Sequence, residues 1–182
     1  MVILERAYRF TKYCHRAQIR ETGARYFEHL RATANIIADE LQMFDLNLIC
    51  AAFLHDSLED QFMFKPEDLV LNFSEEVAML VKKVTKPDES DSRFKNEKES
   101  LDWYHDQIEN SSEKVIILKL ADRLQNTRAL WVCPEEKRLR KIKETKEVYL
   151  PLINKIYILY PEKAKVFWEQ FKVALEKLEK KE

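Results

Sequence analysis

Leu54-His55-Asp56-Ser57-Leu58-Glu59-Asp60 packs four ionisable side chains into six residues at the end of the apolar run Leu46–Leu54. A helix that is apolar all round belongs in a core, and charge buried there costs several kcal/mol per group unless it is paired or bound to a metal. His55 and Glu59 are four apart, as are Asp56 and Asp60, so they crowd about a third of the helix circumference. Ligands from this point, with His29 and Asp122 from other helices, make a mixed nitrogen and oxygen set able to hold a divalent cation. Manganese, iron or zinc suits such a set, and the spacing does not choose among them. Glu59 and Asp60 are then left to take a proton from water, which makes metal-assisted attack on phosphorus the economical chemistry. A His-Asp pair alone is more simply a capped or hydrogen-bonded helix end; the wider set resists that explanation, because a core has no use for so many charges.

A second polar group interrupts an apolar stretch farther on. In Lys119-Leu120-Ala121-Asp122-Arg123-Leu124-Gln125-Asn126 the Asp and Asn are four apart, with Lys119 one turn before Asp122. All three share one face of a helix that otherwise reads as buried. His15 has no comparable company and is expected to support the site rather than ligate metal. His105, among Asp102, Trp103 and Asp106, is expected on an exposed helix.

The elements that must position these groups read as all-α. One Gly and five Pro in 182 residues leave few turns for hairpins. Apolar residues at helical spacing, Leu4 to Ala17, predict a first helix running to Arg20 and stopped by Thr22-Gly23. A second helix starts near Tyr26, with Leu30, Ala34 and Ile37 on its inner face; Asp45 caps the third, which carries the first cluster. Pro66 and Ser74 open two short helices. Residues 85–92 form the longest polar loop, read equally as a lid or an ordinary solvated connection. Helix resumes near Phe94, Ser112 caps the helix of the second cluster, and Pro134 opens a charged helix read as a solvated face. The segment Tyr149-Leu150-Pro151-Leu152 interrupts or kinks it, and Phe167, Phe171, Ala174 and Leu178 make the last helix a packing element.

Composition narrows the function further. Lys and Arg number 31 against 32 acidic residues, so the net charge of −1 provides no field to hold a polynucleotide; residues 137–143 are the one local basic cluster. Cys14, Cys50 and Cys133 form no close-spaced pair, which fits reduced thiols in a cytoplasmic protein. The first ten residues lack a signal peptide's apolar core, and no window is long and apolar enough to span a membrane. One domain covers residues 1–182, and its oligomeric state leaves no mark on the sequence.

These residues resemble the HD-superfamily metal phosphohydrolases, and within them the hydrolase domain of RelA/SpoT-type alarmone enzymes. The resemblance covers residues 12–151. It is carried by His15-Arg16-Ala17-Gln18-Ile19-Arg20, Gly23-Ala24-Arg25-Tyr26-Phe27-Glu28-His29, residues 54–60, Val84-Thr85-Lys86, and residues 119–128. It implies a single helical bundle with a buried metal site, in which His29, His55, Asp56 and Asp122 ligate one manganese ion and Glu59 and Asp60 activate water. Arg20, Tyr26, Lys119 and Asn126 would contact guanosine tetraphosphate or pentaphosphate, a small-molecule substrate whose 3′-pyrophosphate is hydrolysed to release pyrophosphate. At this length the chain is expected to be a stand-alone hydrolase. Glu21 stands where the family usually has Lys, Leu30 where it has Pro, and Gln125, Thr127 and Ala129 where it has His, Met and Thr. These departures leave the metal set intact and bear on substrate choice. Competing readings are the same chemistry on another nucleotide or NADPH, and a non-catalytic helical interaction domain that keeps the site as a relic.

Overall fold

In the computed structural model, which describes residues 2–59, 65–88 and 90–180, the described residues form a helical bundle with no strand beyond an isolated bridge between Ile19 and Arg25. The helices are α1 (Val2–Cys14), α2 (Tyr26–Asn35), α3 (Leu46–Leu54), α4 (Pro66–Asn72), α5 (Glu75–Val84), α6 (Glu97–Glu109), α7 (Glu113–Ala129), α8 (Glu135–Glu144), α9 (Leu150–Tyr157) and α10 (Pro161–Glu179). None of them is long and apolar enough to cross a membrane.

Two helices make the interior. In α3 every residue from Leu48 to Leu54 is buried, as an all-round apolar helix must be; it packs against α1, α2, α5 and α7. In α7 the run from Val115 to Leu124 is buried, charged residues included, against α2, α3, α5, α6, α9 and α10. One apolar cluster runs through the molecule from Ala7 to Ala174. Each large side chain in it contributes roughly 1.5–3 kcal/mol by leaving water.

Local chemistry sets most starts. The Asp45 carboxylate accepts from Leu48 N–H at 3.0 Å, Ser74 Oγ from Val77 N–H at 3.1 Å, and Asn96 Oδ1 from Glu99 N–H at 3.0 Å. Ser112 occupies the cap position of α7 without a side-chain cap bond, and α6 starts at Glu97, three residues beyond the expected Phe94.

The first helix ends at Cys14, not Arg20, because residues 15–26 have tighter work. Arg20 N–H donates to Ala24 C=O at 2.9 Å, Gly23 N–H returns to Arg20 C=O at 2.8 Å, and Tyr26 N–H donates to Gln18 C=O at 2.9 Å. Gly23 closes this turn at φ 80°, where a Cβ would be strained. The result fixes Arg20 and Tyr26 on one side of the bundle. At the other end, α8 runs into α9 through a π turn, Thr145–Tyr149. Leu150 N–H reaches back five residues to Thr145 C=O, just before Pro151, which has no N–H to offer. The expected interruption is thus a bulge, not a break.

Candidate metal centre and phosphate cavity

Turning out of α3, His55 and Asp56 meet His29 from α2 and Asp122 from α7. His29 Nε2 lies 3.4 Å from Asp122 Oδ1 and 3.6 Å from Asp56 Oδ2; His55 Nε2 lies 3.3 Å from Asp56 Oδ1 and 3.5 Å from Asp122 Oδ1. Donors about 2.1 Å from a shared ion stand roughly 3.0–3.4 Å apart, so these spacings suit one small cation. His29, His55 and Asp122 each bring one ligand atom within 4.8 Å of the other two. Asp56 sits less squarely, giving one oxygen to each histidine while Tyr26 Oη donates to its Oδ2 at 2.7 Å. Both histidines and Asp122 are buried.

The outer ring nitrogens fix the tautomers. His29 Nδ1 pairs with Gln125 Oε1, and His55 Nδ1 donates to the Ala52 carbonyl at 2.9 Å. Each ring therefore carries a proton on Nδ1 and turns Nε2 to the centre, as metal-ligating histidines do. His55 Nε2 is buried with no hydrogen-bond partner among the described residues. Such an atom is costly unless something coordinates it, and so the residues present fit a divalent ion.

Charge balance explains how two carboxylates survive here. Burial alone would raise Asp122, but Lys119 and the two histidines hold it well below the usual carboxylate range; burial likewise opposes, and His55 and His29 overcome it, at Asp56. Burial would lower His55, yet Asp56 and Asp122 push it up to about 9. Asp122 also accepts from Lys119 Nζ at 2.8 Å and from Asn126 Nδ2 at 2.6 Å. Lys119, expected to reach a substrate, thus spends its charge on Asp122 while still facing the cavity.

Glu59 is displaced from the cluster. Its Oε1 accepts a long bond, 3.4 Å, from Lys86 N–H. Its side chain is exposed, and its pKa is raised by partial desolvation, then by Asp56, against the pull of Lys119 and Lys86. Asp60 lies outside the described residues. His15 stacks on the Tyr26 ring with centroids 5.1 Å apart and so supports the site from behind.

Beside the cluster opens a cavity of about 410 Å³ whose wall includes Arg20, Tyr26, Lys119, Asp122 and Asn126. All four expected substrate contacts are thus brought together. Arg20 donates to Gln125 Oε1 at 2.8 Å and to Asn126 Oδ1 at 2.5 Å, which leaves a guanidinium held by neutral oxygens and facing space. Sequence reasoning assigned no role to Lys86, Arg123, Lys137, Lys141 or Tyr149, which also line it. Gln125, which orients His29, could have been found from its position three residues after Asp122 on the same helical face. The charged helix α8 keeps Glu135, Glu136, Arg140 and Lys143 in solvent, as expected, but its inner residues Lys137, Lys141 and Glu144 turn to this cavity and its supports. α6 is exposed at Asp102, Trp103 and Asp106, as expected, and His105 on it is half-buried against Tyr149, 3.9 Å from Glu144.

Arg123 underlies this wall. It is buried over the Tyr149 ring, donates to Thr145 Oγ1 at 2.8 Å and pairs with Glu144 at 2.9 Å. Burial opposes ionisation of Glu144, but Arg123 and Lys141 prevail and hold it at about 2 instead of the usual 4.5 or so. A lowered carboxylate pKa contributes stability above its unfolded value and loses it as pH falls through the folded one. Glu144→Gln is therefore expected to cost up to about 3 kcal/mol at pH 7. In urea titrations the gap to the unaltered chain should close between pH 4.5 and 2; a gap constant across that window would refute the pairing.

The HD domain family matches residues 7–158, and the chain belongs to it. It is 42% identical over 155 residues to a guanosine-3′,5′-bis(diphosphate) 3′-pyrophosphohydrolase of Aquifex aeolicus (strain VF5), covering 84% of this chain and 21% of that protein. It is 36% identical over 167 residues to a probable GTP pyrophosphokinase of Mycobacterium leprae (strain TN), covering 92% of this chain and 20% of the other. The chain spans about a fifth of the length of these relatives. Its fold is shared with a solved metazoan ortholog of SpoT, described as hydrolysing ppGpp and acting in starvation responses: TM-score 0.77, 23% identity, 94% of this chain and 95% of that one.

Proposed function

We propose that the chain hydrolyses the 3′-pyrophosphate of guanosine tetraphosphate or pentaphosphate, giving GDP or GTP and pyrophosphate. The observation that carries this reading is the convergence of two imidazole Nε2 atoms and two carboxylates on the wall of a cation-lined cavity; the 42% identical relative supports the substrate. His29, His55, Asp56 and Asp122 would hold one manganese ion, the metal the family resemblance implies. When bound, that ion supplies Lewis acidity toward a phosphoryl oxygen and toward water.

The chain's own residues do the rest. Tyr26 and Asn126 fix the two carboxylates, while Gln125 and the Ala52 carbonyl fix the two imidazoles. Arg20 and Lys86 take the phosphate charge with charge-assisted hydrogen bonds. Glu59, helped by Asp60, accepts a proton from water. The water oxygen bonds to the phosphorus next to the ribose, the bond from that phosphorus to the 3′-oxygen breaks, and the 3′-oxygen takes the proton that Glu59 accepted. We place the activity in the cytoplasm, on a small nucleotide and not on a polynucleotide.

A nucleotide screen with manganese tests the substrate. Pyrophosphate release should rank guanosine tetraphosphate at least tenfold above GTP, ATP and NADPH in kcat/KM. Equal ranking would end the alarmone reading while leaving a phosphohydrolase.

A further inference from the structure

The cations around the cavity are unequally spent. Lys119 is matched by Asp122, and Arg123 and Lys141 by Glu144. Arg20 meets neutral amide oxygens. At the solvent end, Lys137 is matched by Glu21, with Nζ 2.5 Å from Oε1, and the Cys133 thiol donates to Oε2 of the same carboxylate at 3.1 Å. Glu21, Cys133 and Lys137 all line the cavity wall. Glu21 is thus pinned at both oxygens, although more than half its side chain faces solvent. Lys137, then Cys133, keep its pKa below the usual carboxylate range, so it is anionic at neutral pH.

A carboxylate seated on an ammonium occupies the place a phosphate oxygen would take on the same donor. A ligand whose phosphates reach the outer end must either displace Glu21 from Lys137 or lie beside its negative charge. We propose that the Glu21–Lys137 pair is a charge gate that determines how many phosphates the cavity accepts at the end of the nucleotide remote from the cleaved bond. This rests on the reading that the cavity takes a nucleotide polyphosphate. The gate disfavours each added remote phosphate by about fivefold at low salt, the scale of one surface charge acting at short range, and fades as salt screens it.

The two partners can be removed separately with opposite consequences. Glu21→Gln frees Lys137, so the penalty per added phosphate should shrink or reverse. Lys137→Gln leaves a bare carboxylate, so the penalty should grow. Glu21→Asp should restore most of the original selectivity. A merely structural pair would shift both variants in one direction. The manganese-loaded chain and its variants would be assayed on guanosine 3′-diphosphates bearing one, two or three 5′-phosphates, at 50 mM and 500 mM salt. The change is expected in KM, with kcat little altered. In parallel, calorimetry would measure binding of orthophosphate, pyrophosphate and tripolyphosphate. Opposite shifts in the increment per phosphate, lost at high salt, support the gate; shifts of the same sign, or none, overturn it. If no guanosine nucleotide is hydrolysed, the proposed function fails, and the inorganic phosphate series alone decides the gate.

Discussion

Glu59→Gln is expected to lower turnover by about 10²–10⁴-fold, the range for losing a positioned proton acceptor, while manganese binds as before. Glutamine keeps the shape of the side chain and can still accept from Lys86 N–H, so the loop carrying Lys86 has no reason to move. What it lacks is a basic oxygen. Partial desolvation and Asp56 raise the Glu59 pKa, placing this carboxyl nearer the range in which a base is effective at neutral pH. Pyrophosphate release and metal content of the same preparation would decide the matter. A variant that turned over at the original rate would move the proton acceptor elsewhere; one that lost its metal would make Glu59 a ligand.

The other large effect belongs to Asp122. It lies within 3.5 Å of both histidine Nε2 atoms and takes hydrogen bonds from Lys119 and Asn126. Asp122→Ala should abolish stoichiometric metal binding. It should also strand the Lys119 ammonium, which is buried, at a cost of about 3–5 kcal/mol for an uncompensated interior charge. At 182 residues that corresponds to a fall in Tm of about 10 °C. Asp122→Asn keeps a polar acceptor for Lys119 and should lose less stability while still losing metal. Unchanged metal content and unchanged Tm in Asp122→Ala would show that the centre lies elsewhere.

Which of these features could be read from the sequence follows from how local their causes are. Asp45, Ser74 and the apolar run of α3 declare themselves within a few residues, because caps and helical faces are short-range. The clustering of His55 with Asp56, and of Lys119, Asp122 and Asn126, is legible for the same reason. The end of α1 is not, since apolar spacing through Ala17 continues past the point where pairing with residues 24–26 takes over. Nor is the contact of Gln125 with His29, across 96 residues, or that of Arg20 with Gln125, across 105. Lys137 and Lys141 look like any solvated charge, because periodicity reports the face of a helix but cannot tell bulk water from a cavity. Glu21 and Lys137, 116 residues apart, meet only through the turn at Gly23 and the start of α8.

The position of α3 has an electrostatic consequence of its own. Its final residue is Leu54, and His55 and Asp56 follow at once, so the peptide dipoles of α3 sum to roughly half a negative charge within a few ångströms of the cluster. That end of the macrodipole cannot rotate away or be protonated. Added to Asp56 and Asp122, it brings the fixed negative charge to about −2.5, to be set against a divalent ion and the Lys119 ammonium that Asp122 already holds. A loaded centre is then close to neutral. The field left in the cavity is that of Arg20 and Lys86, with the excess of Arg123 and Lys141 over Glu144; it attracts an incoming anion from solution and should make its capture faster at low ionic strength.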